Sequence, residues 1–222
     1  MALVSRWTLD NNVIDTIGAY NGTAFNMAYS SSVKVNGNYS GTFNAASPSY
    51  VTIDGVNPVA YTNYSFSMWI KCTTVGSKSI IHFAQSDSTD DRYSCHAADG
   101  ATKATYYINK AGSAVLNIET DIVCVDDTWH FITVTDANGA VTMYVDARYA
   151  GSGTYSRLTN NCDWSTIGNL RCQGLNPHAS YRFNGSMDDV RFYDVALTAA
   201  EVKALYASYF TEKAISFMGN MV

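Results

Sequence analysis

Phe183-Asn-Gly-Ser-Met-Asp-Asp-Val-Arg-Phe-Tyr193 runs through Asp194 and Val195 into Ala196-Leu-Thr-Ala-Ala-Glu-Val-Lys-Ala-Leu-Tyr206. The first part reads as a strand in which Asp189 and Arg191, two residues apart, project from the same face and can form an ion pair. The second part opens a helix. Thr198-Ala-Ala-Glu201 is a capping box, Leu197 and Val202 can form the hydrophobic staple, and Val202, Leu205, Tyr206 and Tyr209 repeat at helical spacing. The stretch thus reads as one strand followed by one short capped helix.

The rest of the chain supplies further strands. Tyr64-Ser-Phe-Ser-Met-Trp-Ile-Lys-Cys72 alternates, with Phe66, Met68 and Ile70 on one face and Ser65, Ser67 and Lys71 on the other. From Trp129 to Val145 two alternating runs flank Asp136-Ala-Asn-Gly139, whose Asn-Gly step provides the positive φ angles of a hairpin turn. Tyr50–Asp54, Ile80–Ala84, Thr105–Asn109 and Ala114–Ile118 are short β-rich runs at the spacing of a sandwich or barrel. No linker divides the 222 residues, so residues 1–210 read as one domain and 211–222 as an apolar tail packed on the domain or on a neighbouring subunit.

Composition narrows the function classes. Hydrophobic residues make up 47% and charged residues 15%, enough apolar material for a core. The net charge of -5, without any run of Lys or Arg, disfavours binding to a phosphate backbone, so no nucleic-acid partner is expected. Arg6 and Asp10 break the apolar N-terminus, which leaves no signal-peptide core, and no stretch is long enough to insert in a membrane. The five cysteines lack a C-x-x-C pair and are odd in number, which favours reduced, partly buried thiols.

With these pieces in place, the chain resembles the laminin-G-like (LamG-like) jelly-roll domains of the concanavalin A-like lectin and glucanase group. The resemblance rests on Trp7-Thr-Leu-Asp10 with Asp15-Thr-Ile-Gly18 and Asn21-Gly-Thr23, on Ser65–Lys71, and on Asp127-Thr-Trp-His-Phe-Ile-Thr-Val-Thr135 with Val141-Thr-Met-Tyr-Val-Asp146. Ile167-Gly168 and the closing Asp188-Asp-Val-Arg191 unit extend it, while the segment from Ala84 to Lys103 and the tail after Phe210 fall outside it. It implies a jelly-roll β-sandwich of two antiparallel sheets with one short C-terminal helix. In this family an opening Asp/Gly/Asn loop and the first Asp of the late motif often meet around a structural calcium ion, which maps onto Asp15, Asn21 and Asp188 as metal ligands. The alternative is that Asp15 makes an Asx-turn and Asp188 bonds backbone amides, tying the same loops without metal.

Catalysis finds little support. Ile118-Glu-Thr-Asp-Ile-Val-Cys124 lacks the second glutamate of the glucanase pattern, since Val123 and Cys124 stand where it could lie. His82, His96, His130 and His178 have no nucleophile motif to serve, so no catalytic residue is expected. Tyr106, Tyr107, Tyr144, Tyr149, Tyr155 and Tyr181 are candidate sugar-stacking rings, each also a candidate core residue. Gln85 to Lys103 reads as a variable recognition loop. The expectation is a non-catalytic binding or structural module of a virus or phage virion, as a capsid decoration, fibre or tail protein, located on the particle or released by lysis. Its partners would be virion structural proteins or cell-surface glycans, within a homo-oligomer. A soluble calcium-dependent lectin is the alternative, and a glycan hydrolase the third reading.

Overall fold

The computed structural model of the chain describes residues 2–73, 78–85, 91–97, 102–159, 161–171 and 178–219, with the backbone alone for 212–219. Among them lie the strands β1 (Leu3–Trp7), β2 (Thr23–Phe25), β3 (Ala28–Ser30), β4 (Ser40–Phe43), β5 (Tyr50–Thr52), β6 (Asn63–Cys72), β7 (Lys78–Ala84) and β8 (Arg92–Ala97). They are followed by β9 (Lys103–Lys110), β10 (Ser113–Val123), β11 (His130–Ala137), β12 (Ala140–Val145), β13 (Arg148–Thr154), β14 (Trp164–Ile167), β15 (Gly185–Tyr193) and the helix α1 (Ala199–Gly219). The first sheet has the order β13-β12-β11-β6-β15-β4-β3, with β1 also on β15, and the second the order β10-β9-β8-β7-β14-β5-β2. Every recorded strand pairing is antiparallel. This is the expected jelly-roll sandwich.

Alternation explains the core. Phe66, Met68 and Ile70 of β6 point between the sheets, where Phe66 meets Phe83 and Tyr106 of the facing sheet, and Phe83 meets Phe192 of β15. Tyr64 also faces inward, and its hydroxyl reaches that of Tyr106 at 2.7 Å, which satisfies two buried polar groups at once. The hairpin between β11 and β12 turns at Asn138 and Gly139, with φ of 53° and 90°, while the Asp136 carboxylate accepts the Gly139 amide. A methyl group on Gly139 would meet the Tyr155 carbonyl oxygen at 2.4 Å, so the residue is held both by its φ and by space.

The opposite face of the first sheet is covered by α1. Thr198 and Glu201 exchange the bonds of the capping box. Trp69 and Phe131, pointing away from the main core, receive Tyr206 and Tyr209, and Leu197, Val202 and Leu205 complete this second apolar cluster. No Gly or Pro interrupts residues 199–218. The helix therefore runs past Phe210 to Gly219, and the boundary expected between 210 and 211 falls inside one continuous element.

A correction concerns Gln85 to Lys103. The segment reads as a loop, yet Arg92–Ala97 forms β8 in the interior of the second sheet. Its Tyr93, Cys95 and Ala97 face the core, while Ser94 and His96 are also buried on the outer face, which removes the polar-out signature that strand reading relies on. Residues 86–90 and 98–101 of that expected loop lie outside the described residues.

One ionic cluster joins the elements of the first sheet. The neighbour of β15 changes along its length, with β4 beside Gly185–Met187 and β1 beside Val190–Tyr193. At the change β15 carries one extra residue against β6, and Asp189 takes a φ of 48°. The Asp189 carboxylate, fully buried, accepts from Arg6 at 2.7 and 2.9 Å and from Arg191 at 3.1 and 2.8 Å, with Asn36 Nδ2 at 3.3 Å. Burial pushes this carboxyl up, but the two guanidiniums outweigh it and hold it at about 2. The Arg191 guanidinium in turn lies 5.2 Å from the Tyr209 ring, so the cluster also touches α1. Replacing Asp189 with Ala leaves two guanidiniums without their counter-charge and should cost about 3–5 kcal/mol in urea unfolding; a loss under about 1 kcal/mol would show that the cluster contributes little.

Candidate functional site

The outer face of the second sheet collects the polar and aromatic side chains that the core does not use. Directly opposed residues in neighbouring strands share a face, so the register places Trp164, Ala84, Arg92 and Asn109 in one row across β14, β7, β8 and β9. A second row runs Thr52, Thr166, His82, Ser94, Tyr107 and Asn117. A third joins His96, Thr105 and Glu119.

The middle of this face is covered. Residues 170–171 and 178–181 cross β7 and β8: His82 Nε2 bonds the Arg171 carbonyl at 2.9 Å, and the His178 amide donates to the Leu170 carbonyl at 3.0 Å. The Tyr181 ring lies 5.6 Å from His96 and 4.6 Å from His178. Arg171 is fixed by Asp54, at 3.0 and 2.8 Å, and rests 4.3 Å above the Trp164 ring. The crossing segment forms a wall. On its β9 and β10 side the face is open, with Tyr107 half-buried and Asn117, Glu119 and Asp121 exposed.

Arg92 stands at the foot of that wall. Its guanidinium lies 5.7 Å from the Tyr107 ring, and the Tyr107 hydroxyl donates to Asn109 Oδ1 at 3.2 Å. The result is a ledge, with a floor of Tyr107 and Asn117 over buried Asn109 and a cationic corner at Arg92. Burial, then the charges of Arg92 and His96, keep fully buried His82 well below the usual imidazole range, so it is neutral and serves structure, its Nδ1 bonded to Ser94 Oγ at 2.6 Å. His178 is lowered by burial and by Arg92.

A second concavity, an open cleft of about 670 Å³, lies at one end of the sandwich and is lined by Lys110, Val115, Thr154, Tyr155 and Ser156. The Tyr155 hydroxyl is committed inward, donating to Asp136 at 2.6 Å, so the cleft offers its ring rather than its oxygen.

The structure separates the residues expected to hold calcium. Asp15 accepts the amides of Arg6, Ile17, Gly18 and Tyr20 at 2.9–3.2 Å, and its own amide donates to Asn21 Oδ1 at 3.0 Å. Burial raises this carboxyl, but the amides outweigh it and the net shift is downward. Both the amide and the carbonyl of Arg6 point to the Asp15–Thr16 loop, whereas the other edge of β1 pairs with β15. β1 therefore stands between Asp15 and the strand that carries Asp188. Asp188 instead accepts the amides of Val35 and Asn36 through Oδ2, at 2.8 and 2.9 Å. Its Oδ1 is buried without a hydrogen-bond partner. That oxygen is of the kind a hard cation takes, while Asp15 is bonded to amides of the opening loop and Asn21 to the Asp15 amide. Among the described residues no group of three or more His, Cys, Asp or Glu is arranged to hold a metal.

The remaining expected residues divide clearly. Glu119 and Asp121 are exposed on β10, Glu119 in an ion pair with Lys103 at 3.3 Å, while Val123 is exposed and Cys124 buried. Tyr106 is core and Tyr155 largely so; Tyr107 and Tyr181 belong to the ledge and its wall; Tyr144 and Tyr149 lie on β12 and β13 of the first sheet, Tyr149 exposed. Cys72, Cys95, Cys124 and Cys162 are buried free thiols, and burial pushes Cys72 and Cys95 up to about 12. Cys172 lies outside the described residues. His130 bridges Asp146 at 2.8 Å and Asp126 at 3.0 Å, and bonding to Asp146 above all raises it.

Residues 44–203 match the family Laminin_G_3, described as concanavalin A-like lectin/glucanases superfamily. The chain belongs to this superfamily. Domain 4 of AbnA, a GH43 extracellular arabinanase from Geobacillus stearothermophilus, solved in complex with arabinotriose, is similar to it at 19% identity and a TM-score of 0.74, over 92% of this chain and 98% of that one. The binding domain of Paraclostridial Mosquitocidal Protein 1 matches at 16% identity and a TM-score of 0.72, over 94% of this chain and 52% of that one. A botulinum neurotoxin type C structure, a toxin whose cell entry is dependent upon interaction with two ganglioside molecules, matches at 16% identity and a TM-score of 0.69, over 94% and 51%. This concanavalin A-like chain thus spans about half the length of the matched toxin chains, and identities this low show the shared fold alone. No curated protein matches it by sequence. Among the described residues no helix is long and apolar enough to cross a membrane.

The orphaned carboxylate predicts a pH response. Burial, offset only in part by the Asn36 and Val35 amides, pushes Asp188 up from 3.8 to about 7. The folded chain then holds a proton that the unfolded chain releases, so the contribution of this group is most favourable below about pH 4 and declines as pH rises from there to about 7. Without added metal, the Asp188→Asn variant should flatten the fall in stability over that range. An unchanged pH profile would contradict the assignment.

Proposed function

We propose that this chain is a non-catalytic glycan-binding domain whose ligand lies on the ledge of the second sheet. The observation that carries the reading is the juxtaposition on one face of the half-buried Tyr107 ring, exposed Asn117 and half-buried Arg92, with buried Asn109 holding the Tyr107 hydroxyl. Sugars present an apolar ring face that stacks on aromatic carbon, and hydroxyls that bond to planar amide and guanidinium groups. The arabinotriose complex of the arabinanase domain supports this class of ligand. Hydrolysis of a glycosidic bond asks for a pair of carboxyl groups flanking it, one as acid and one as base or nucleophile. Glu119 and Asp121 instead alternate along the exposed edge strand, with Glu119 tied to Lys103, so they act as solvating groups.

We further place the domain on a virus or phage particle, as a homo-oligomeric capsid decoration, fibre or tail component in contact with virion proteins. Four buried, unbridged cysteines suit folding in a reducing compartment and release by lysis. Co-purification with intact particles tests this, and its absence from purified particles would remove it. Calcium enters the proposal at Asp188 alone: millimolar calcium should raise the melting temperature of the wild type at pH 8 but not that of Asp188→Asn, and equal responses would exclude that site.

Glycan binding is tested by calorimetric titration of the full chain with a panel of oligosaccharides, each followed by a reducing-end assay. Saturable binding without release of reducing ends is expected, and Tyr107→Ala should weaken it about tenfold, the equivalent of about 1.4 kcal/mol, with little change in melting temperature. Release of reducing ends, or binding that Tyr107→Ala leaves intact, would contradict the reading.

A further inference from the structure

Arg6, Arg157, Arg171 and Arg191 each close on an aspartate, at 2.7, 3.7, 2.8 and 2.8 Å. Arg92 meets no carboxylate among the described residues, although it lies in the interior of a sheet face. Its Nε is buried and has no hydrogen-bond partner, an arrangement that costs about 1–3 kcal/mol unless something fills it. The preceding Asp91, which could have neutralised it, bonds the Ala111 amide through Oδ1 at 2.9 Å.

The surroundings hold the guanidinium in place. The Tyr107 ring lies beneath it, and its cross-strand neighbours are Ala84 and Asn109, one too small to contact a charge and the other neutral. Nearby His82 and His178 are both disfavoured from taking a proton, in part by Arg92 itself. Among the described residues the corner of the ledge is thus an oriented cation without a carboxylate partner, with a planar fork of donors that matches a carboxylate or sulfate oxygen pair.

We propose that Arg92 anchors an anionic group of the bound glycan, so that the ligand class is an acidic sugar bearing a carboxylate or a sulfate ester. This rests on the glycan-binding reading and sharpens it. The chain as a whole carries a net charge of -5, which repels polyanions at a distance. Binding therefore depends on the local contact and not on a general basic surface.

The test titrates the full chain with matched pairs: an oligouronate and its carboxyl-reduced form, and a sulfated oligosaccharide and its desulfated form. The acidic member of at least one pair should bind tenfold or more tighter than its neutral counterpart, and which pair does so separates carboxylate from sulfate. Arg92→Gln should abolish that preference, and Arg92→Lys, which keeps the charge but not the fork, should restore it in part. If Arg92→Gln does not fold, judged by its melting curve, the loss of preference is read from Arg92→Lys alone. Equal affinity for both members of both pairs, or a preference that stays at its wild-type size in Arg92→Gln and in Arg92→Lys, overturns the inference while glycan binding stands. Failure of every sugar, neutral and acidic, to bind overturns both.

Discussion

Asp189 is a carboxylate out of reach of water, bonded by guanidiniums from both ends of the chain. Its strand reached this arrangement by accepting an extra residue and a left-handed backbone turn at that position. The cost of that distortion is recovered only if Arg6 and Arg191 are both in place, because a lone buried carboxylate would be pushed toward protonation. The same point is where β4 gives way to β1 as neighbour of β15, and where residues 35 and 36 close over the gap through Asp188. With Tyr209 against Arg191, the helix that covers the first sheet is registered to the cluster as well.

This arrangement has a consequence for function. The first sheet packs one face against the core and the middle of the other, around Trp69 and Phe131, against α1. The second sheet has only one face in the core. On its other face the crossing segment at residues 170–171 and 178–181 separates a buried centre from the ledge. The buried histidines support the wall, while the open side holds an oriented ring, amides and a cation.

Much of the frame was legible in the sequence because it follows local rules. The alternation of Phe66, Met68 and Ile70, the Asn138-Gly139 turn and the Thr198–Glu201 cap each depend on residues close along the chain. β8 was not legible, since Ser94 and His96 are covered on the outer face by a segment some eighty residues later. For the same reason the gathering of His96 and His178 around Tyr181 left no local signal. The family resemblance names Asp15, Asn21 and Asp188, but the bonds of Asp188 to the amides of residues 35 and 36 are long-range and left no local signal. The Asp189–Arg191 pair could be anticipated from spacing; the contribution of Arg6, distant in sequence, could not.

The central claim is that sugar is recognised on the outer face of the second sheet, beside the wall. Backbone amide shifts of the isotopically labelled chain, followed by NMR during addition of an oligosaccharide that binds, test it most directly. The largest shifts should cluster at Arg92, Tyr107, Asn109 and Asn117, with little movement at Asp15 or Tyr155. Shifts concentrated at the Lys110–Tyr155 cleft, or on the opening loop around Asp15, would contradict the account.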